Sequence, residues 1–161
     1  VGPGWQLTPT ELDERDVEFF DALRSWLVTS YCVDERRIYS MGFSNGAYFS
    51  NLLACARADA IAAIAPSGGG MRCEPAKPVP VILTHGQADD LVPFNEATKA
   101  EAAWASRNGC GPDREELDKG CERRKRCDAA DVVFCPHPGG HQYRRDFTKT
   151  AVEFFKRHPR R

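Results

Sequence analysis

The chain has 161 residues and balances 22 Lys and Arg against 23 Asp and Glu, for a net charge of −1. Its length suits one domain, spanning 1–161, with a core of useful size. The even charge gives no electrostatic case for nucleic acid, and no apolar run approaches the roughly 20 residues of a membrane span. Neither partner is expected.

Along the chain, Thr8-Pro9-Thr10-Glu11 reads as a helix start, with Thr8 as the cap, Pro9 in the first turn and Glu11 three residues on. Leu12, Val17, Phe19, Phe20, Leu23, Trp26 and Leu27 then recur at helical spacing and predict an amphipathic helix. Residues 37–41, with Ile38 and Tyr39, suit a short buried strand, and 45–54 a helix after a tight turn. Residues 61–65 read as the next buried strand. The turn Ser67-Gly68-Gly69-Gly70 lacks the Lys-Ser/Thr that a phosphate cradle needs. A central strand at 79–84, a helix at 94–107, a long polar loop at 109–128, a strand at 132–135 and a helix at 147–157 complete the series. Arg123-Arg124-Lys125-Arg126 reads as a solvated face of that loop. About four strands alternating with helices imply an α/β fold with a mostly parallel sheet and helices on both faces.

Seven cysteines are many for a protein kept in a reducing compartment. No CxxC pair occurs and no histidine stands beside a cysteine at ligand spacing, so zinc is not expected; the acyl-transfer chemistry read below requires neither a metal nor an organic cofactor. A disulfide framework in a secreted protein is the better reading. Cys110, Cys121, Cys127 and Cys135 cluster and suit two bridges, in any of three connectivities. Cys32, Cys55 and Cys73 remain, and an odd count leaves one thiol free or bonded outside the chain.

The chemistry concentrates in three places. Gly42-Phe43-Ser44-Asn45-Gly46 lies between a predicted strand and a predicted helix, the arrangement of a nucleophile elbow. Gly42 and Gly46 suit a crowded turn, and Asn45 offers a backbone N–H at the helix start. Asp89 lies just past the strand at 79–84, where a loop carboxylate faces the carboxyl edge of a parallel sheet; Asp90 is its rival, and His85 reads as structural. His141 follows Gly139 and Gly140 in a loop after the last strand. His137 is not separated from it by spacing alone, whereas His158 falls in a basic tail and reads as solvated. Serine, acid and histidine in that chain order form a candidate acyl-transfer site, in which the histidine takes the serine proton and the carboxylate orients the histidine. Phe43, Tyr48, Phe94 and Tyr143 stand near these motifs as candidate lining for a phenolic acyl group, with ordinary core packing of two or more as the alternative.

These stretches, together with Cys32-Val33-Asp34, Ala63-Ile64-Ala65-Pro66 and Asn108-Gly109-Cys110, resemble the secreted α/β-hydrolase group of feruloyl esterases, acetylxylan esterases and polyhydroxybutyrate depolymerase-like proteins. The resemblance covers most of the chain. It implies Ser44 as nucleophile, Asp89 as acid, His141 as base, and an ester substrate, free or attached to polysaccharide. Unlike tannases, the chain has no cysteines flanking Ser44 and His141. A prolyl-oligopeptidase-type peptidase shares a similar elbow and acid loop, but nothing here suggests its propeller; a non-catalytic binding module on the same fold is the rival from another class. An α/β-hydrolase also carries strands before its elbow strand, and a loop among them supplies half of the oxyanion hole. No counterpart is found here. The resemblance therefore implies the C-terminal part of a longer protein, with the second donor in a preceding segment or chain; the odd cysteine count fits this, with Cys73 as the residue bonded to that part.

Overall fold

The computed structural model describes residues 4–160. Its frame is a six-stranded sheet in the order β1-β2-β3-β6-β5-β4. The strands are β1 (Tyr39–Phe43), β2 (Ala63–Ser67), β3 (Val81–Gly86), β4 (Arg114–Glu116), β5 (Glu122–Arg124) and β6 (Val132–His137). β1, β2, β3 and β6 run parallel, whereas β4 and β5 form an antiparallel hairpin whose β5 edge pairs with β6. The helices are α1 (Arg15–Ser30), α2 (Asn45–Ala56), α3 (Phe94–Arg107) and α4 (Arg145–Arg157).

Period-two alternation in β2 separates two cores. Ile64 joins Leu52 and Leu53 of α2 and Trp104 of α3 on one face. Ala63 and Ala65 join Phe147, Ala151 and Phe154 of α4 on the other. Small residues on the α4 face let the large rings of that helix sit close to the sheet. Helices thus cover both faces, as expected of a parallel sheet, where neither face can meet water without exposing apolar side chains.

Several expectations need correction. The first helix begins at Arg15, after a 3₁₀ turn at Glu11–Glu14 that contains Leu12. Its cap is not Thr8 but the buried Gln6, whose side-chain oxygen accepts from the N–H groups of Asp16 and Val17 at 2.9 and 3.2 Å. Such a cap comes from ten residues away and has no local spacing signature. Val17 enters the core and Phe20 packs against it, but Phe19 and Trp26 are more than half exposed, so the apolar stripe of α1 is only partly covered. The second correction concerns residues 109–128, which hold β4 and β5 instead of a loop. Their strands carry Arg-Glu-Glu and Glu-Arg-Arg, with none of the apolar alternation that marks a half-buried strand. Charge holds them in place. Arg124 grips the buried Glu101 of α3 at 2.6 and 2.9 Å, Arg114 adds 3.2 Å, and Arg123 pairs with Glu115 across the hairpin. The basic run is therefore partly built into the sheet and is not simply a solvated face.

Three disulfides form: Cys55–Cys73, Cys110–Cys127 and Cys121–Cys135. The first joins the last turn of α2 to the segment after β2, so Cys73 is bonded within the chain. The other two join the hairpin region to the end of α3 and to β6. Cys32 is the unpaired thiol and is exposed. His158 is not solvated either, because it bonds Asp131 at 3.1 Å and the Phe154 carbonyl at 2.8 Å.

Candidate active site

The carboxyl ends of β1, β3 and β6 point to the same edge of the sheet. Each is followed by a segment that carries one of the three predicted side chains. After β1 the chain turns sharply into α2 at Ser44, whose φ of 55° and ψ of −118° are unusual for a residue with a side chain. The turn is tight because β1 and α2 nearly touch. A Cβ on Gly42 would lie 2.1 Å from the Gly46 carbonyl oxygen, so only glycine fits there. Gly46 is different: a Cβ there would meet nothing within 4 Å, and the crowding expected at that position is absent. Ser44 is held from behind by its own N–H, which donates to the Ser67 carbonyl of β2 at 2.9 Å.

The loop after β3 buries Asp89, with its side chain 1% exposed. Oδ1 accepts from the N–H groups of Leu91 and Val92 at 3.0 and 2.8 Å. Oδ2 faces His141 Nδ1 at 2.8 Å, and His141 Nε2 faces Ser44 Oγ at 2.9 Å. These distances fit a single relay in which the carboxylate accepts from Nδ1–H and Nε2 is left to accept from the hydroxyl. Burial alone would push the Asp89 carboxyl up, but the Val92 N–H, the His141 imidazole and the Leu91 N–H outweigh it and hold the group below the usual carboxylate range. Asp90 takes no part in this network. Its neighbour won because an aspartate whose oxygen accepts from the N–H groups two and three residues on closes its own turn, which fixes the carboxylate.

The third loop approaches just as closely. Gly86, the last residue of β3, lies beneath Gly139 and Gly140, where a Cβ would come within 2.2 and 2.4 Å of their carbonyl oxygens. His137 stays in β6, buried, with Nδ1 accepting the Gly139 N–H at 3.2 Å. It braces the loop that carries His141. Burial, reinforced by Arg144 and His85, holds the His137 imidazole below its usual pKa. The two histidines that spacing could not separate are therefore distinguished by position: one supports the loop and the other faces the serine.

The four aromatic candidates divide. Phe43 packs on His141 with ring centroids 4.8 Å apart, and Tyr143 meets Phe43 edge-on at 5.9 Å. Phe94 stacks on Phe134 against the core. Tyr48 is buried, with its hydroxyl on Glu96 and the Arg72 guanidinium over its ring. Sequence reading missed Trp5. It stacks on Phe49 at 4.8 Å and is bound by the Asn45 side chain, which accepts from the Trp5 N–H at 2.8 Å and donates to its carbonyl at 3.0 Å. Trp5, Met41, Phe43, Ser44 and Phe49 line an open cleft of about 490 Å³ along β1. Forty residues separate Trp5 from Asn45, and no motif links them.

The wider similarity follows the same pattern. The acetyl xylan esterase from Aspergillus awamori superposes with a TM-score of 0.75, at 16% identity, over 97% of this chain and 74% of that one. The fold is that of the α/β-hydrolases. Feruloyl esterase B of Piromyces equi is 31% identical over 166 residues, covering 87% of this chain and 31% of that protein. A probable feruloyl esterase C of Aspergillus niger is 32% identical over 149 residues, covering 88% of this chain and 54% of that protein. The chain is a homologue of these esterases, and it spans between about a third and about half of their lengths. No protein-family model matches it.

Proposed function

We propose that this α/β-hydrolase domain is the serine esterase core of a secreted carboxylic-ester hydrolase. The observation that carries the reading is the Ser44–His141–Asp89 relay at 2.9 and 2.8 Å on a strained turn. In this reading His141 Nε2 takes the Ser44 proton as Oγ attacks the ester carbonyl. The imidazolium that forms is paired with Asp89. The tetrahedral oxyanion is held by the Asn45 N–H, which lies at the start of α2, where backbone N–H groups lack intrahelical partners. Its collapse expels the alcohol, which leaves with the proton from His141. Water activated by the same imidazole then hydrolyses the acyl-enzyme.

The preferred acyl group is hydroxycinnamoyl, as in feruloyl esters on plant cell-wall polysaccharide. The feruloyl esterase relatives support it, as do Phe43 and Tyr143, which form an aromatic wall beside His141, and Trp5, which borders the open cleft. Among the described residues β1 is the outer strand of the sheet, with an unpaired edge, and it borders the same cleft. A further segment of the same protein, paired along that edge, would bring the second oxyanion donor to Ser44. The three disulfides support an extracellular site of action.

The test is a fluorophosphonate probe followed by peptide mapping, alongside hydrolysis of methyl ferulate, acetylated xylan and hydroxybutyrate oligomers. A single adduct on Ser44, and loss of about 10⁴-fold or more of turnover in Ser44→Ala, are expected. Turnover that survives Ser44→Ala would overturn the assignment. Preference for acetyl or hydroxybutyryl esters would move the substrate while leaving the chemistry in place.

A further inference from the structure

His85 takes no part in the steps above, yet it is the side chain most enclosed beside them. It is fully buried at the carboxyl end of β3. Phe94 meets it edge-on at 6.0 Å. Nδ1 has no hydrogen-bond partner among the described residues. A bare polar atom in such a place costs on the order of 1–3 kcal/mol, which apolar packing alone gives no reason to carry. The other ring nitrogen shows what the imidazole does. Nε2 lies 2.9 Å from the Val92 carbonyl oxygen, which can only accept, so Nε2 carries the hydrogen. The N–H of the same Val92 donates to Asp89 Oδ1 at 2.8 Å. Nε2 also stands 3.3 Å from Asp89 Oδ2, the oxygen that faces His141.

We infer that His85 is a positioning residue for the acid: its Nε2–H closes the 85–92 loop on the Val92 carbonyl and so aims both carboxylate oxygens of Asp89. The first half of the loop is held by backbone, through Gln87 N–H to the His137 carbonyl at 2.7 Å, Ala88 N–H to the Gly139 carbonyl at 3.1 Å and Asp89 N–H to the Gly86 carbonyl at 3.3 Å; the His85 bond is what ties its far end, at Val92, back to β3. Without that bond, Oδ1 would lose the fixed direction of its Val92 donor, and Oδ2 would no longer be pinned toward His141 Nδ1. The geometric half of this inference stands alone; its catalytic half rests on the esterase reading.

The test compares His85→Phe, which fills the space without a donor, with His85→Gln, whose amide nitrogen can reach the same carbonyl. His85→Met stands in should the phenylalanine variant not fold. Two readouts are taken on each purified protein: backbone amide exchange at Leu91 and Val92, and kcat and KM for methyl ferulate. The donor-free variant should speed exchange at both amides about tenfold or more and lower kcat about 10–100-fold with KM little changed, and the glutamine variant should recover most of both. Unchanged exchange in the donor-free variant overturns the inference, as does equal loss of kcat in both variants, which would mean a packing role. If the wild-type protein neither labels at Ser44 nor turns over ester, the esterase reading falls, and the exchange comparison alone decides the role of His85.

Discussion

Gly86→Ala tests whether the site depends on the close approach of two loops. The added methyl would lie 2.2 Å from the Gly139 carbonyl oxygen, 2.4 Å from that of Gly140 and 2.9 Å from the Gly139 carbonyl carbon. All three are backbone atoms, so no side chain can swing away. Clearing even a 3.0 Å limit requires the Gly139 carbonyl to retreat by about 0.8 Å. The Ala88 N–H donates to this same carbonyl at 3.1 Å, and the Gln142 N–H donates to the Gly140 carbonyl at 2.9 Å, so the retreat carries His141 with it. A displacement near 1 Å between reacting groups costs about 100-fold in rate, whereas overpacking of this size costs about 1–3 kcal/mol of stability. Gly86→Ala should therefore fold, melt somewhat lower, and lose roughly two orders of magnitude in kcat. The assay pairs a denaturant melt with steady-state hydrolysis of methyl ferulate and the rate of fluorophosphonate labelling. A folded Gly86→Ala protein with wild-type labelling and turnover would show that the loop spacing does not set the Ser44–His141 geometry.

Four other outcomes follow from the same contacts. The strained backbone at Ser44 should make Ser44→Gly more stable than Ser44→Ala by about 1 kcal/mol in denaturant melts, although both are inactive. Arg124→Ala strips the buried Glu101 of its two shortest contacts and should cost about 3 kcal/mol, with Arg114 still in place to moderate the loss. Cys135→Ser opens a bridge that spans 14 residues and should lower stability by about 3 kcal/mol, read as a fall in the melting temperature. The Asp89 carboxyl is held below its usual range in the folded state, so its share of stability is present above the unfolded value of about 3.9 and is lost as pH falls through the folded value. Acid denaturation of Asp89→Asn should show a correspondingly flatter slope below that point.

The sequence was most legible where one residue type had a single physical reason to be present. Gly42 had to lack a Cβ, and the elbow that follows it was visible for that reason. Residues 94–107 coincide with α3 because apolar positions at helical spacing enclose Ala97, Ala100 and Trp104. Legibility failed where a partner from far along the chain replaced a local signal. Gln6 caps α1 from ten residues upstream, and Glu101 turns two charged triplets into strands. Cys55 and Cys73 are joined only because the end of α2 and the segment after β2 meet in space. Each of those pairings satisfies a buried polar group or closes a loop, but none leaves a period or a motif.

The same contrast explains how the candidate site is built. Its three side chains come from positions 44, 89 and 141, and no local preference brings them together. What does is the parallel register of β1, β2, β3 and β6, which places three loops on one edge of the sheet. The loops are then fixed largely by hydrogen bonds from backbone N–H groups. The Ser44 N–H is tied to β2, the Asp89 carboxylate to its own turn, and the Gly139 N–H to His137. Donors fixed by the fold need no reorganisation at the moment of reaction, so in the proposed esterase the relay is set before substrate arrives, and binding need not supply the energy to assemble it. If the proposed esterase reading holds, the acyl group is selected elsewhere, along the cleft bordered by Trp5 and Phe43. Substitutions at Trp5 should therefore change KM between ester substrates more than they change the rate of fluorophosphonate labelling at Ser44.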